Sequence, residues 1–134
     1  MTDEAGSSAW FECGLVTYSN RAKQDLLQVP ASLLEQYGAV SEAVVQAMAQ
    51  GALAITPQAH CSIAISGIAG PSGGTILKPV GMVCFAWATR QQVITQTEYF
   101  ADTTRRDTLR ALAVKCALQG LCQQLQALPD HSSC

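Results

Sequence analysis

The strongest constraint on the fold is a nearly continuous apolar run at residues 81–89 (GMVCFAWAT), followed three residues later by an alternating run at 93–100. A continuous apolar run predicts a strand covered on both faces, whereas alternation predicts a strand with one face toward solvent. The short connection predicts an antiparallel hairpin with an inner and an outer strand. Such a hairpin needs a sheet with other elements packed on its faces.

Further strands and helices interleave irregularly with this hairpin. Residues 11–18 (FECGLVTY) have the composition of a strand, and residues 61–66 (CSIAIS) that of a strand buried on both faces. We therefore predict one α/β domain over residues 1–134, with a mixed sheet and helices on its faces. Apolar periodicity and capping residues predict helices at about 21–27, 32–37, 41–55 and 103–128.

The composition limits the partners of the chain. Charged residues make up 13% of it, about half of the roughly 25% usual in soluble domains, so we expect part of the surface to be covered in a homo-oligomer or by missing chain. The net charge of -2 provides no basic field for nucleic acid. The polar, acidic start and the lack of a long apolar stretch predict no signal peptide and no membrane span, and hence a cytoplasmic protein.

The six cysteines form no CxxC pair, and most lie in apolar runs such as MVCFAW. This placement is typical of reduced, buried thiols, and we expect no metal site. A disulfide framework is the alternative, but such frameworks belong to small secreted chains with weak cores.

The glycine-rich segment, residues 66–81 (SGIAGPSGGTILKPVG), is the stretch most suggestive of chemistry. Gly67, Gly70, Gly73 and Gly74 follow a predicted strand, where ligands bind in many α/β sheets. Backbone N–H groups at glycines can approach an anion or a carboxamide oxygen closely. A tight structural loop explains the same composition equally well.

A second candidate is Lys23, with Tyr18, in VTYSNRAK. If Asn20 caps the following helix, the positive end of the helix dipole lowers the pKa of Lys23, and a neutral amine can act as a base. The simpler interpretation is a solvated lysine beside a buried tyrosine.

A third candidate is the cluster of Arg105, Arg106 and Arg110 at the start of the last predicted helix. The helix dipole disfavours cations there unless an anion such as a phosphate lies nearby. Ion pairs with Asp102 or Asp107 are the alternative.

Four blocks, GSSAWFECGLVTYSN, GAVSE, SGIAGPSGG and KPVG, occur in this order and resemble the C-terminal domain of the CinA competence-damage family over about residues 3–125. The resemblance implies an α/β sandwich that hydrolyses the carboxamide of nicotinamide mononucleotide to nicotinate mononucleotide and ammonia. It also implies a dimer and no metal or other cofactor. It assigns catalytic roles to Lys23 and Tyr18. It assigns substrate-binding roles to Ser66, Gly67, Gly70, Gly73, Gly74, Arg106 and Arg110.

One family motif, ESCTGG, is not found in these 134 residues. Its serine is the nucleophile that the lysine activates, so we expect the first strand and helix of the family domain to be missing, which puts hydrolysis by this chain in doubt. Two hypotheses lead. The chain is an N-terminally truncated amidohydrolase, or it is a product that has lost catalysis and binds nucleotide or serves as a partner subunit. A structural or non-functional remnant is a third, less favoured interpretation.

Overall fold

The computed structural model of the protein describes residues 1–100 and 105–127. Within these residues, a short 3-10 turn (Ser7–Ala9) and three helices precede three strands, and a long helix follows. The helices are α1 (Asn20–Leu27), α2 (Ala31–Tyr37), α3 (Glu42–Ile55) and α4 (Arg106–Ala127), and the strands are β1 (Cys61–Gly67), β2 (Met82–Thr89) and β3 (Val93–Tyr99). The helix ends predicted near 103 and 128 lie outside the described residues.

The three strands form an antiparallel sheet in the order β1-β2-β3. The central strand, β2, is buried at every position except Thr89, whereas exposed and half-buried residues alternate along the first part of β3. This confirms the predicted hairpin, because the continuous apolar run lies inside and the alternating run lies at the edge.

Helices cover both faces of the sheet, as predicted for the α/β class. Alternate side chains of β2 point to opposite faces. On one face, Cys84 and Ala86 join a core with α1, α2 and α3, and on the other, Phe85 and Trp87 pack against α4. The Trp87 indole N–H also donates a hydrogen bond of 2.8 Å to the Ala117 carbonyl of α4.

Serine side chains cap α1 and α3. Ser19, rather than Asn20, caps α1 and accepts a hydrogen bond from the backbone N–H of Ala22. Ser41 caps α3 as predicted. Gly51 within α3 lies against α1, because a Cβ there would be 1.9 Å from the Leu27 carbonyl oxygen. A glycine that weakens one helix therefore permits its close packing on another.

Two strand predictions differ from the structure. Residues 11–18 form no strand, since among the described residues no neighbouring strand shares backbone hydrogen bonds with them. Strand β1 is also less buried than predicted. Only Ala64 is fully buried in it, because β1 lies at the edge of the described sheet while β2 takes the centre.

The cysteines of the described residues are unpaired thiols, and Cys134 lies outside these residues. Cys84 is buried, but Cys13 and Cys122 are exposed, which corrects the expectation of buried thiols for those two. Burial raises the pKa of the Cys84 thiol above its ordinary value, so it is held in the neutral form.

Candidate functional site

The glycine-rich segment continues the β1–β2 hairpin as an ordered loop. The Ile68 N–H donates to the Met82 carbonyl at 2.9 Å, and the Gly81 N–H donates to the Ile68 carbonyl at 2.8 Å. Farther out, the Thr75 N–H donates to the Lys78 carbonyl at 2.8 Å, and the Lys78 N–H donates to the Thr75 hydroxyl at 3.1 Å. These bonds close the loop at its base and again near its tip.

Two glycines of the segment are required by close packing against Val80. Gly70 has a φ of +70°, and a Cβ there would lie 2.5 Å from a Val80 methyl group. A Cβ at Gly74 would lie 2.7 Å from the Val80 backbone nitrogen. A structural reason for these glycines therefore exists, because the segment packs closely against its own Val80.

An open groove of about 1150 Å³ lies between this loop and the start of α4. Gly73 and Gly74 line one side, and Arg106 and Arg110 line the other. Arg106 also donates a hydrogen bond of 2.9 Å to the Gly70 carbonyl, which ties α4 to the loop. The structure thus brings together five of the seven residues to which the resemblance assigns substrate binding, namely Gly70, Gly73, Gly74, Arg106 and Arg110.

The arginines at the start of α4 have different partners. Arg105 pairs with Asp107 at 2.9 Å, so the ion-pair alternative describes this residue. Asp102 lies outside the described residues. Arg110 makes no hydrogen bond or ion pair with the described part of the chain, and it lines the groove. Arg110 is therefore available to an anion there.

Lys23 is buried, with 5% of its surface exposed, whereas Tyr18 is 87% exposed. The interpretation as a solvated lysine beside a buried tyrosine was therefore wrong for both residues. The Lys23 amine donates to the carbonyl of Thr17 at 2.8 Å and to that of Tyr18 at 3.3 Å. Burial lowers its pKa below the ordinary value, so the predicted direction is confirmed, although desolvation rather than the helix dipole is the cause.

Some predicted site residues lie away from the groove. Lys23 and Tyr18 do not line it, and neither do Ser66 and Gly67 at the end of β1. The Ser66 hydroxyl donates to the Ala39 carbonyl at 2.7 Å, so it is engaged within the protein. The groove and the buried lysine are therefore two separate features of the described residues.

Sequence reasoning gave no role to Lys78. Its amine donates to the carbonyls of Tyr37 and Val40, with a distance of 2.7 Å to Val40. The only signal in the sequence was the KPVG block itself. A contact with residues about forty positions earlier leaves no local pattern.

Within residues 1–100 and 105–127, no group of three or more His, Cys, Asp or Glu side chains is arranged to hold a metal ion. No helix in the same ranges is both long enough and apolar enough to cross a bilayer.

The sequence profile of the CinA C-terminal domain matches residues 1–125. The chain belongs to this family. It is 54% identical over 125 residues to the nicotinamide-nucleotide amidohydrolase PncC of Escherichia coli K12, and the match covers 92% of this chain and 74% of PncC. It is 49% identical to a longer CinA-like protein of Synechococcus, covering 95% of this chain and 30% of that protein.

Solved structures of CinA-family proteins share the fold. A competence damage-inducible protein A from Klebsiella pneumoniae superposes with a TM-score of 0.88 and 42% identity, over 94% of this chain and 76% of that one. A competence/damage-inducible protein from Agrobacterium tumefaciens gives a TM-score of 0.87 at 41% identity, over 91% and 73% of the two chains. These similarities extend along nearly all of this CinA-domain chain.

Proposed function

We propose that this CinA domain binds nicotinamide mononucleotide and takes part in the hydrolysis of its carboxamide to a carboxylate and ammonia. The observation that carries the proposal is the groove between the glycine-rich segment and α4. The name of the E. coli relative supports the choice of substrate, since that protein is a nicotinamide-nucleotide amidohydrolase and half of its aligned residues recur here.

In this proposal the groove holds the phosphate of the nucleotide. Arg110 supplies a guanidinium group, which matches the geometry of a phosphate better than a point charge does. Gly73 and Gly74 form part of the opposite side, and Arg106 holds the two sides together through its hydrogen bond to the Gly70 carbonyl. The formal charge of -2 makes a local arginine cluster the main attraction for an anion.

Lys23 is proposed as the base of the reaction, with Tyr18 beside it in the chain. Its lowered pKa supports this role, because a lysine that loses its proton more readily can accept one from an attacking hydroxyl. As the attacking oxygen adds to the carboxamide carbon, Lys23 takes the proton of that hydroxyl, and the C–N bond breaks as ammonia leaves with this proton. The hydroxyl of water gives the carboxylate directly, whereas a side-chain hydroxyl gives an ester that water then hydrolyses to the carboxylate.

A second candidate function is nucleotide binding without catalysis, either alone or as a partner subunit. The specific observation in its favour is that Lys23, the proposed base, does not line the groove, whereas Arg106 and Arg110 do. The groove residues can therefore bind an anion without the proposed catalytic residues.

The proposal also includes self-association in the cytoplasm. Three large side chains are mostly exposed in a part of the chain that pairs with no strand among the described residues. They are Trp10, Val16 and Tyr18, with 58%, 88% and 87% of their surfaces exposed. Apolar side chains grouped in this way are typical of surfaces that a second copy covers.

Two measurements on the same protein test the function. Calorimetric titration with nicotinamide mononucleotide measures binding, and an ammonia-release assay measures turnover. Binding with ammonia release supports the amidohydrolase. Binding without release supports the second candidate, and the absence of binding would overturn both.

A further inference from the structure

Two sequence blocks, GAVSE at residues 38–42 and KPVG at 78–81, have no role in the proposed function. The structure joins them through the side chain of Lys78. Its amine donates to the carbonyls of Tyr37 and Val40, which are 41 and 38 positions earlier in the chain. The far side of the glycine-rich segment is therefore attached to the connection between α2 and α3.

All four consecutive backbone carbonyls of residues 37–40 accept hydrogen bonds from side chains. Lys78 donates to the first and the last, Ser41 to the second at 2.9 Å, and Ser66 to the third at 2.7 Å. Ser66 lies at the start of the glycine-rich segment, and Lys78 lies near its end. Both ends of the segment are thus tied to one short connection.

Gly38 makes room for this contact. Its φ is +72°, and a Cβ at this position would lie 3.0 Å from the Lys78 amine nitrogen. A side chain there would be strained and would crowd the amine. Gly38 of the first block therefore leaves the space next to the Lys78 amine of the second block free.

We propose that Lys78 is a positioning residue of the nucleotide site, and that with Ser66 it holds the glycine-rich segment in the shape that forms the groove. The identity of the ligand rests on the proposed function. Lys78 does not itself line the groove, but Pro79 and Val80, the next two residues, do. Val80 in turn fits against Gly70 and Gly74, so displacement of Lys78 is transmitted to the groove wall.

Arg90 provides a matched control. It is also a cation that donates to several backbone carbonyls, those of Thr56, Pro57 and Ala59, but it lies in the β2–β3 turn and its partners lie in the α3–β1 connection. None of these residues lines the groove. Arg90→Met therefore removes a comparable set of contacts without touching the glycine-rich segment.

The test compares the wild-type chain with the variants Lys78→Met, Lys78→Arg and Arg90→Met. Calorimetric titration with nicotinamide mononucleotide measures affinity, and amide hydrogen exchange measures opening of residues 68–77. We expect Lys78→Met to weaken binding on the order of tenfold, as the competent fraction of the loop falls to about a tenth. We also expect faster exchange in 68–77, recovery of most binding with Lys78→Arg, and neither effect with Arg90→Met.

Equal affinity in wild type and Lys78→Met would overturn the proposal, as would equal losses in Lys78→Met and Arg90→Met. If the wild-type chain binds no nucleotide, the proposed function fails, but exchange still decides the role of Lys78. Faster exchange of 68–77 in Lys78→Met alone supports positioning, and unchanged exchange overturns it.

Should Lys78→Met fail to fold, Ser66→Ala carries the same comparison. Its control is Ser62→Ala, because the Ser62 hydroxyl also donates from β1 to a backbone carbonyl, that of Ala49, at 2.7 Å. Faster exchange of residues 68–77 in Ser66→Ala but not in Ser62→Ala supports the proposal, and equal exchange overturns it.

Discussion

The glycine-rich segment is held in place by hydrogen bonds within the described chain, whereas the region around Lys23 includes apolar residues that the described chain leaves uncovered. The segment is held at its base by β2, on one side by Arg106 and on the other by Lys78. Lys23 is buried, and its amine donates to the carbonyls of Thr17 and Tyr18. These belong to residues 11–18, which pair with no described strand and expose Val16 and Tyr18 to solvent. A binding surface can therefore be formed by contacts within this chain, while the proposed catalytic base lies in a region with uncovered apolar surface.

The largest expected effect is on the groove side of this comparison. Arg110→Gln removes a cation that has no protein partner among the described residues. The substitution is therefore expected to remove a contact with the bound anion and no contact within the protein. A hydrogen bond to a charged group contributes about 1.5–3 kcal/mol, and we expect binding of nicotinamide mononucleotide to weaken roughly tenfold to a hundredfold in calorimetric titration.

Arg21→Gln is the control for this substitution. It makes the same change of charge at an exposed arginine of α1 that pairs with Asp25 at 2.6 Å. Because exposed ion pairs contribute little, nucleotide affinity is expected to stay as in wild type. Equal losses in the two variants would show that net charge, and not the groove, attracts the nucleotide.

A smaller effect is expected on the Lys23 side, in the pH dependence of stability. Burial lowers the Lys23 pKa below its ordinary value of 10.5, so between the lowered pKa and 10.5 the unfolded chain binds more protons than the folded chain. The contribution of Lys23 to the free energy of unfolding therefore rises with pH through this window. Urea unfolding at stepped pH is expected to show that the free energy of unfolding of wild type, minus that of Lys23→Met, rises as pH increases through this window.

Lys115→Met, which removes the same charge from an exposed position of α4, is the control. Its difference from wild type is expected to show no such growth with pH. A difference for Lys23→Met that stays constant through the alkaline range would mean that the folded protein does not desolvate this amine.

The smallest effect on stability is expected at Val16, which is 88% exposed. Val16→Ser is expected to change the free energy of unfolding by less than about 0.5 kcal/mol, because substitutions at exposed positions rarely do more. In light scattering, however, we expect it to reduce self-association. Ile76→Ser changes an even more exposed aliphatic residue, in the glycine-rich segment, and is expected to leave association unchanged. If Ile76→Ser reduces self-association and Val16→Ser does not, the contact between copies lies on the groove side instead.

Local patterns predicted most of the fold. The inner and outer strands of the hairpin follow from continuous and alternating apolar residues, and α3 follows from Ser41 and its apolar spacing. The strand at residues 11–18 was wrong because strand formation depends on a neighbouring strand, and its own composition cannot supply one.

The sequence singled out the two elements that line the groove but not their arrangement. The glycines after a strand and the arginines at a helix start lie on opposite sides of one groove, and their roles in binding stay predictions. The burial of Lys23 and the exposure of Tyr18 depend on tertiary packing, so sequence reasoning reversed them. The contact of Lys78 with Val40 spans 38 positions and could be seen only once the chain was folded.

The packing of Trp87 gives the molecule a built-in optical reporter. Of the two tryptophans in the sequence, Trp87 is 4% exposed and Trp10 is 58% exposed. Trp87 stacks on Phe85 and donates a hydrogen bond to a backbone carbonyl of α4. The emission of an indole shifts to longer wavelength when water reaches it. In a Trp10→Phe background, fluorescence therefore follows the undocking of α4, and with it the separation of the arginines from the loop they face.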